Sequence, residues 1–91
     1  MYVVVCYDIA DPKRLNSIAK ICETYGLRLQ KSCFQIHMDI NRVKEILEKI
    51  KKVIKPKYDS ILCYYICEDC YNKIETIGIN SILIKEDSIF L

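Results

Sequence analysis

Apolar positions recur along the chain in two rhythms, one for strands and one for helices. The first run, Tyr2-Val3-Val4-Val5-Cys6-Tyr7, closes on the carboxylate of Asp8. It is rich in β-branched residues and too short for a free helix, so it predicts a strand buried on both faces, with Asp8 at its C-terminal end. Asp11-Pro12 then reads as an N-cap followed by proline at the first helical position. Leu15, Ile18, Ala19, Cys22 and Tyr25 keep helical spacing, and Gly26 is a fitting stop.

Residues 27–38 are extended, but their alternation slips phase near Ser32-Cys33. One long bent strand and two short strands across a kink both fit, because no Asn-Gly marks a tight hairpin. Asp39 is a good N-cap for the next helix. Val43, Ile46, Leu47, Ile50, Val53 and Ile54 form its apolar stripe, with lysines and glutamates opposite, and Pro56 ends it. Residues 61–66 predict a second strongly buried strand, 68–72 a polar turn and 73–78 a short alternating strand. The tail, with Ile82, Leu83, Ile84, Ile89, Phe90 and Leu91, is too apolar to stand uncovered, and a second protomer is the expected cover.

The order β-α-β(β)-α-β-β, with two helices on one face of a mainly antiparallel sheet, is the ferredoxin-like α+β arrangement. The expectation is a single domain over residues 1–91: a βαββαβ sandwich with an extra C-terminal strand. About 79–91 would act as a dimerisation segment of a homodimer.

Composition narrows the function classes. Two Gly and two Pro in 91 residues leave no room for a linker or low-complexity segment. No apolar run approaches a membrane span, and the N-terminus reads as a strand rather than a leader, so a cytoplasmic protein is expected. Four of the six cysteines (Cys6, Cys22, Cys33 and Cys63) fall within apolar patterns, which suits a reducing compartment and cysteine used as a small hydrophobe. Cys67-Glu68-Asp69-Cys70 is a lone CxxC. With His37 as the single histidine, the four ligands of a zinc site are not at hand. His37 itself reads as an ordinary strand histidine.

Net charge is +2 but uneven: residues 1–57 carry +6 and residues 58–91 carry −4. Such polarity suits a phosphate-bearing partner, although a lysine run is more often a solvated helix face. Asp8 is the residue that asks for chemistry. A charge directly after a buried run must be solvated, paired or bound to a cation. A strand-ending carboxylate facing water is the bland alternative.

The motifs, taken together and in order, resemble a known family. Tyr7-Asp8, then Asp11-Pro12-Lys13-Arg14, then Tyr25-Gly26-Leu27-Arg28-Leu29-Gln30-Lys31-Ser32-Cys33-Phe34, then Asp59-Ser60-Ile61, Cys67-Glu68-Asp69-Cys70 and Lys73-Ile74-Glu75-Thr76-Ile77-Gly78 are similar to the CRISPR-associated Cas-two family. The resemblance implies a ferredoxin-like homodimer that partners the Cas-one integrase during spacer acquisition. It also implies magnesium-dependent endonuclease activity on RNA or double-stranded DNA. Asp8 would be the metal ligand and catalytic position, with Tyr7 beside it. Arg28 and Phe34 carry over as family positions, and Arg14, Lys13 and Lys31 join them as candidate nucleic-acid contacts. The chain departs from the family pattern in two places: Gln35 stands where a glutamate is frequent, and Leu15-Asn16 thins the basic run after Arg14.

Two functions follow. Mg²⁺ commonly takes one or two carboxylates plus substrate phosphates, so a twofold axis near Asp8 would supply a pair of carboxylates for phosphodiester hydrolysis. Alternatively, the dimer is a non-catalytic scaffold that bridges integrase subunits and holds duplex DNA by its phosphates. A ferredoxin-like sensor or metal carrier is set aside for want of a second ligand set.

Overall fold

The computed structural model describes residues 1–75, 77 and 78. Its elements are β1 (Tyr2–Asp8), α1 (Pro12–Tyr25), β2 (Leu27–Gln30), β3 (Cys33–His37), α2 (Ile40–Val53), β4 (Ser60–Ile66) and α3 (Glu68–Asn72). The sheet order is β2-β3-β1-β4 and every pairing is antiparallel. This is the expected ferredoxin-like α+β fold.

Strand alternation divides the sheet into two unlike faces. Val3, Val5 and Tyr7 of β1, with Phe34 and Ile36 of β3, are buried against Ile18 and Cys22 of α1 and Val43, Ile46 and Ile50 of α2. Tyr2, Val4, Cys6 and Asp8 point the other way, a face that neither α1 nor α2 covers and on which Tyr71 of α3 stacks against Tyr2. The first strand is therefore buried on one face, not on both as its run of apolar residues suggested. Both helical stripes read from the sequence are the stripes that reach the core.

Both helix starts are as expected. The Asp11 carboxylate accepts the N–H groups of Lys13 and Arg14, each at 3.0 Å, with Pro12 at the first position. Asp39 accepts from Asn41 at 2.8 Å and Arg42 at 3.2 Å. Gly26 ends α1 for a different reason from the one expected. Its backbone is extended (φ −144°, ψ −176°), a conformation open to any residue. A Cβ at this position would lie 2.5 Å from the Gln35 carbonyl oxygen and 3.0 Å from Ile36 Cγ1. Glycine is required by the close approach of β3, not by a left-handed turn.

Residues 27–38 form two strands. β2 and β3 are a hairpin closed by Lys31-Ser32, so the phase slip near Ser32-Cys33 is the turn itself. No described non-glycine residue has positive φ, and the register shifts between Arg28 and Gln30. That bulge takes up the twist which primed turns usually supply.

Two expectations at the C-terminal side are corrected. Residues 68–72 form the short helix α3 rather than a polar turn: Cys67 caps it, and Glu68 and Asp69 in its first turn favour the helix dipole. The described residues of 73–78 form no strand. The apolar tail, and with it the extra strand and dimerisation segment, lies outside the described residues. No described helix is long and apolar enough to cross a membrane.

Candidate functional site

Several segments meet at one end of the sheet. β1 finishes there at Asp8, which pairs across the ladder with Ser60 at the start of β4. The β2–β3 turn joins them through the Tyr7 N–H, which donates to the Ser32 carbonyl at 3.0 Å. The short loop after Asp8 leads directly into α1.

Asp59 organises this end. Its side chain is fully buried and accepts four donors. Arg14 gives two, Nε to Oδ2 at 2.8 Å and Nη2 to Oδ1 at 3.1 Å. The backbone N–H groups of Ala10 (3.0 Å) and Lys55 (2.9 Å) give the others. The Arg14 guanidinium, and then these two amides, hold the Asp59 carboxyl well below the usual carboxylate range, against the opposing effect of burial. One carboxylate thus ties the loop after Asp8 to the first turn of α1 and to the chain entering β4. In the sequence Asp59 stands out only as part of the Asp59-Ser60-Ile61 motif, with no role of its own. The available signal was an acidic residue directly before an apolar run with no helix to cap.

Arg14 is consequently not a free phosphate ligand. The expected nucleic-acid contact is held in a bidentate pair with Asp59. Asp8 is exposed, and its side chain makes no hydrogen bond or ion pair among the described residues. Lys13, at the start of α1, and Lys31, in the β2–β3 turn, are exposed with uncommitted ammonium groups among the described residues.

Tyr7 and Phe34 do not share a face with Asp8. Tyr7 is 6% exposed and Phe34 is fully buried, and their rings stack with centroids 6.1 Å apart. The Tyr7 hydroxyl reaches the Lys31 carbonyl at 3.5 Å, the outer limit of a hydrogen bond. Burial pushes its phenol up, so it offers no phenolate at neutral pH. The physical reason is the pleat: neighbours on a strand point to opposite faces. The structure places Tyr7 and Phe34, the expected catalytic and nucleic-acid positions, in the core beneath the site.

Arg28 covers that core pair. Its guanidinium lies 4.9 Å from the Phe34 ring centroid, donates to the Lys31 carbonyl at 3.1 Å and pairs with Glu23 at 2.7 Å. It remains 43% exposed, so it braces the β2–β3 turn while still presenting charge to solvent. Gln35, the departure from the family pattern, pairs with Val4 in mid-sheet. Four residues along β1 separate it from Asp8, about 13 Å.

The described residues contain no cluster of three His, Cys, Asp or Glu side chains able to enclose a metal. A single exposed carboxylate does fit the looser mode of Mg²⁺, which keeps its waters and takes one or two carboxylates with substrate phosphates. Asp8 is the residue of this chain that would hold it. Cys67 and Cys70 are exposed thiols, and the Cys70 N–H donates to Cys67 Sγ at 3.4 Å. Cys6 and Cys33 pair across β1 and β3 with their sulfurs 2.9 Å apart, and burial first, then this neighbour, pushes Cys6 up to about 12. That shift keeps Cys6 a thiol, in keeping with its reading as a small hydrophobe.

Among the described residues β4 is an edge strand, and it turns Leu62, Tyr64 and Ile66 to the open face. Leu62 is 57% and Tyr64 54% exposed. With the half-buried Val4 and Ile66 they give the open face an apolar strip, exposed among the described residues, along β4 and the row of β1 that ends in Asp8.

Comparison with known proteins adds to this geometry. The family model described as CRISPR associated protein Cas2 matches residues 1–74. A relative from Chloroflexus aurantiacus, named CRISPR-associated endoribonuclease Cas2 3, is 38% identical over 64 residues, which is 70% of this chain and 69% of that one. The crystal structure of Streptococcus pyogenes Cas2 superposes with a TM-score of 0.75 at 34% identity, covering 86% of this chain and all of that one. A chain of a partial Cas6-RT-Cas1–Cas2 complex shares the fold, with a TM-score of 0.72 at 24% identity over 92% of this chain and 90% of that one.

Proposed function

The chain belongs to the CRISPR associated protein Cas2 family, and from that premise we propose that it works in CRISPR adaptation as a homodimer that partners the Cas1 integrase and holds duplex DNA. In this reading Asp8 is a Mg²⁺ ligand at the dimer interface and supports phosphodiester hydrolysis of RNA or double-stranded DNA. The supporting observation is the state of Asp8: an exposed, uncommitted carboxylate on a rigid strand end, with the free cations Lys13 and Lys31 on segments that converge on it. Such an end suits a metal and a phosphate chain together.

The dimer is supported by the apolar strip of Leu62, Tyr64 and Ile66 on β4, an edge strand among the described residues, with Val4 of β1 beside it, a surface of the kind that native sheets cover. Twofold pairing along that strip would bring a second Asp8 towards the first and supply the carboxylate that one chain lacks. When bound, the ion would activate water and neutralise charge on the scissile phosphate. The chain's own part is to fix Asp8 by the β1–β4 ladder and to hold the following loop through Asp59.

A specific observation also favours the scaffold reading. Tyr7 and Phe34 are buried and Arg14 is paired with Asp59, so among the described residues these three leave Asp8 without a second catalytic group beside it. The relatives' name, endoribonuclease, supports hydrolysis; the shared fold of a chain in a Cas1–Cas2 complex supports the partnership. The decisive experiment is Asp8→Asn, assayed for Mg²⁺-dependent cleavage and for spacer acquisition. Cleavage should fall by orders of magnitude while duplex binding persists. Unchanged cleavage would remove Asp8 from any catalytic role, and lost cleavage with intact acquisition would make the scaffold the working function.

A further inference from the structure

Cys67-Glu68-Asp69-Cys70 is a motif that the Asp8 reading leaves unused. Both of its thiols are exposed, whereas Cys6, Cys22, Cys33 and Cys63 are buried or half-buried. The turn that carries them is set by its backbone. The Tyr71 N–H donates to the Cys67 carbonyl at 2.8 Å, and the Lys73 N–H to the Cys70 carbonyl at 3.1 Å. The ring of Tyr71, the residue after Cys70, stacks on Tyr2 of β1 with centroids 3.7 Å apart, which anchors the turn to the sheet.

The Cys70 N–H points at Cys67 Sγ across 3.4 Å, so the two residues face one another over a single turn. Residues three apart on such a turn have Cα atoms about 5 Å apart, inside the ~4.4–6.8 Å that a disulfide spans. Side-chain rotation is enough to close the pair. The two thiols are also unlike. The Cys70 amide, and then its side chain, holds the Cys67 thiol below its ordinary value, while the Cys67 side chain pushes Cys70 up. Cys6 and Cys33 make a second close pair, with sulfurs 2.9 Å apart, but burial first, then Cys33, pushes Cys6 up to about 12. Cys6 therefore keeps its proton, and the thiol form does not attack a disulfide. Among the described residues no third His, Cys, Asp or Glu joins Cys67 and Cys70, so thiol exchange rather than metal binding is the chemistry this geometry favours.

We infer that Cys67 and Cys70 form a dithiol site that reacts reversibly with small-molecule disulfides. The Cys67 thiolate attacks one sulfur of the disulfide RSSR. The S–S bond of RSSR breaks, and the released RS⁻ takes up the proton that Cys67 gave up. Cys67 is left in a mixed disulfide with R. Cys70 then gives up its proton and attacks Cys67 Sγ, which forms the Cys67–Cys70 bond and releases the second RSH. The dithiol loses two electrons and two protons, and RSSR gains both. In a reducing compartment such a pair stays open, and it closes when the level of disulfide rises. The inference stands apart from the Asp8 reading, because Cys67 lies about 23 Å along β4 from Ser60, the partner of Asp8.

The full-length protein is reduced, freed of reductant and incubated with glutathione disulfide at neutral pH. It is then denatured, alkylated, digested and mapped by tandem mass spectrometry. The expected product is an intramolecular Cys67–Cys70 disulfide that dithiothreitol reopens, with Cys6 and Cys33 alkylated as free thiols. In Cys70→Ser the reaction should stop at a glutathione adduct on Cys67, because the thiol that resolves it is gone. In the reduced native protein iodoacetamide should modify Cys67 about tenfold faster than Cys70. The inference is overturned by a Cys6–Cys33 or intermolecular bond in place of the expected one, or by a glutathione adduct on Cys67 that persists in the natural chain. It is equally overturned by a Cys67 that both reagents leave untouched, or by equal alkylation rates at Cys67 and Cys70. Should Cys70→Ser not fold, the map and the alkylation rates of the natural chain decide the matter alone.

Discussion

The Arg14 guanidinium grips the Asp59 carboxylate with two near-parallel hydrogen bonds, at 2.8 and 3.1 Å, across 45 residues of chain. The pair closes the end of the domain at which Asp8 emerges. Because Asp59 also holds the Ala10 amide, the loop after Asp8 has one fixed path.

Asp59→Asn should therefore disturb both stability and the placement of Asp8. The substitution leaves four donors facing an amide, two of them on a guanidinium that keeps its charge. The urea midpoint should fall by more than in Glu23→Gln, which breaks only the exposed pair with Arg28. The pH dependence follows from the depressed carboxyl of Asp59. Its contribution is fully present above the unfolded carboxyl value of about 3.9 and is lost as pH falls through the lower folded value. The stability gap between natural chain and variant should thus be constant near neutrality and close in strong acid. A gap that stays open at the lowest pH would show that the pair acts by packing alone.

Gly26→Ala should destabilise the fold by about 1–3 kcal/mol, the scale of overpacking. The new methyl meets the Gln35 carbonyl oxygen at 2.5 Å, and backbone does not step aside as a flexible side chain would. Chemical denaturation measures the loss. A neutral result would mean that β3 recedes from α1 without cost.

Duplex DNA binding should be salt-sensitive and blind to sequence. For about four to six phosphate contacts, log K should fall with log salt with a slope of roughly −4 to −5. Replacing Lys13 and Lys31 together by Gln should reduce that slope by about 2, one for each cation. An unchanged slope would place the phosphate path elsewhere, for instance along the lysine face of α2.

Removing residues 80–91 should convert a micromolar dimer to monomer or aggregate in sedimentation. The reason lies within the described residues: Leu62 and Tyr64 of the β4 edge are more than half exposed in one chain. Leu62→Lys should weaken the dimer in the full-length chain by setting a charge in the same strip. A truncated chain that remains a well-behaved dimer would shift the interface off the tail.

Local rules were enough for the two long helices. Asp11-Pro12 and Asp39 announced both long helices, and the Val43-to-Ile54 stripe announced the face that α2 buries, because caps and helical periodicity act within a few residues. The order of those elements, with the short connections between them, sufficed for the ferredoxin-like class. The turn at Lys31-Ser32 was less legible, since its twist is absorbed by a bulge rather than by a glycine.

Long-range geometry was decided only in the tertiary structure. A strand's period makes Tyr7 and Asp8 point apart, but which of them meets the helices depends on where β1 sits in the sheet. Tyr7 is in the core and Asp8 faces out. Arg14 and Asp59 are each ordinary surface residues by type, and their pairing depends on a contact across 45 residues that no local pattern encodes. Gln35 and His37 likewise became neighbours of one cavity only when β2 paired with β3 and the chain after β4 returned Tyr71 to Tyr2. Sequence by itself determined the two long helices, the strands β1 and β4 and that a carboxylate ends β1. Folding decided which charges remain free to meet a phosphate, because that depends on partners brought together from distant parts of the chain.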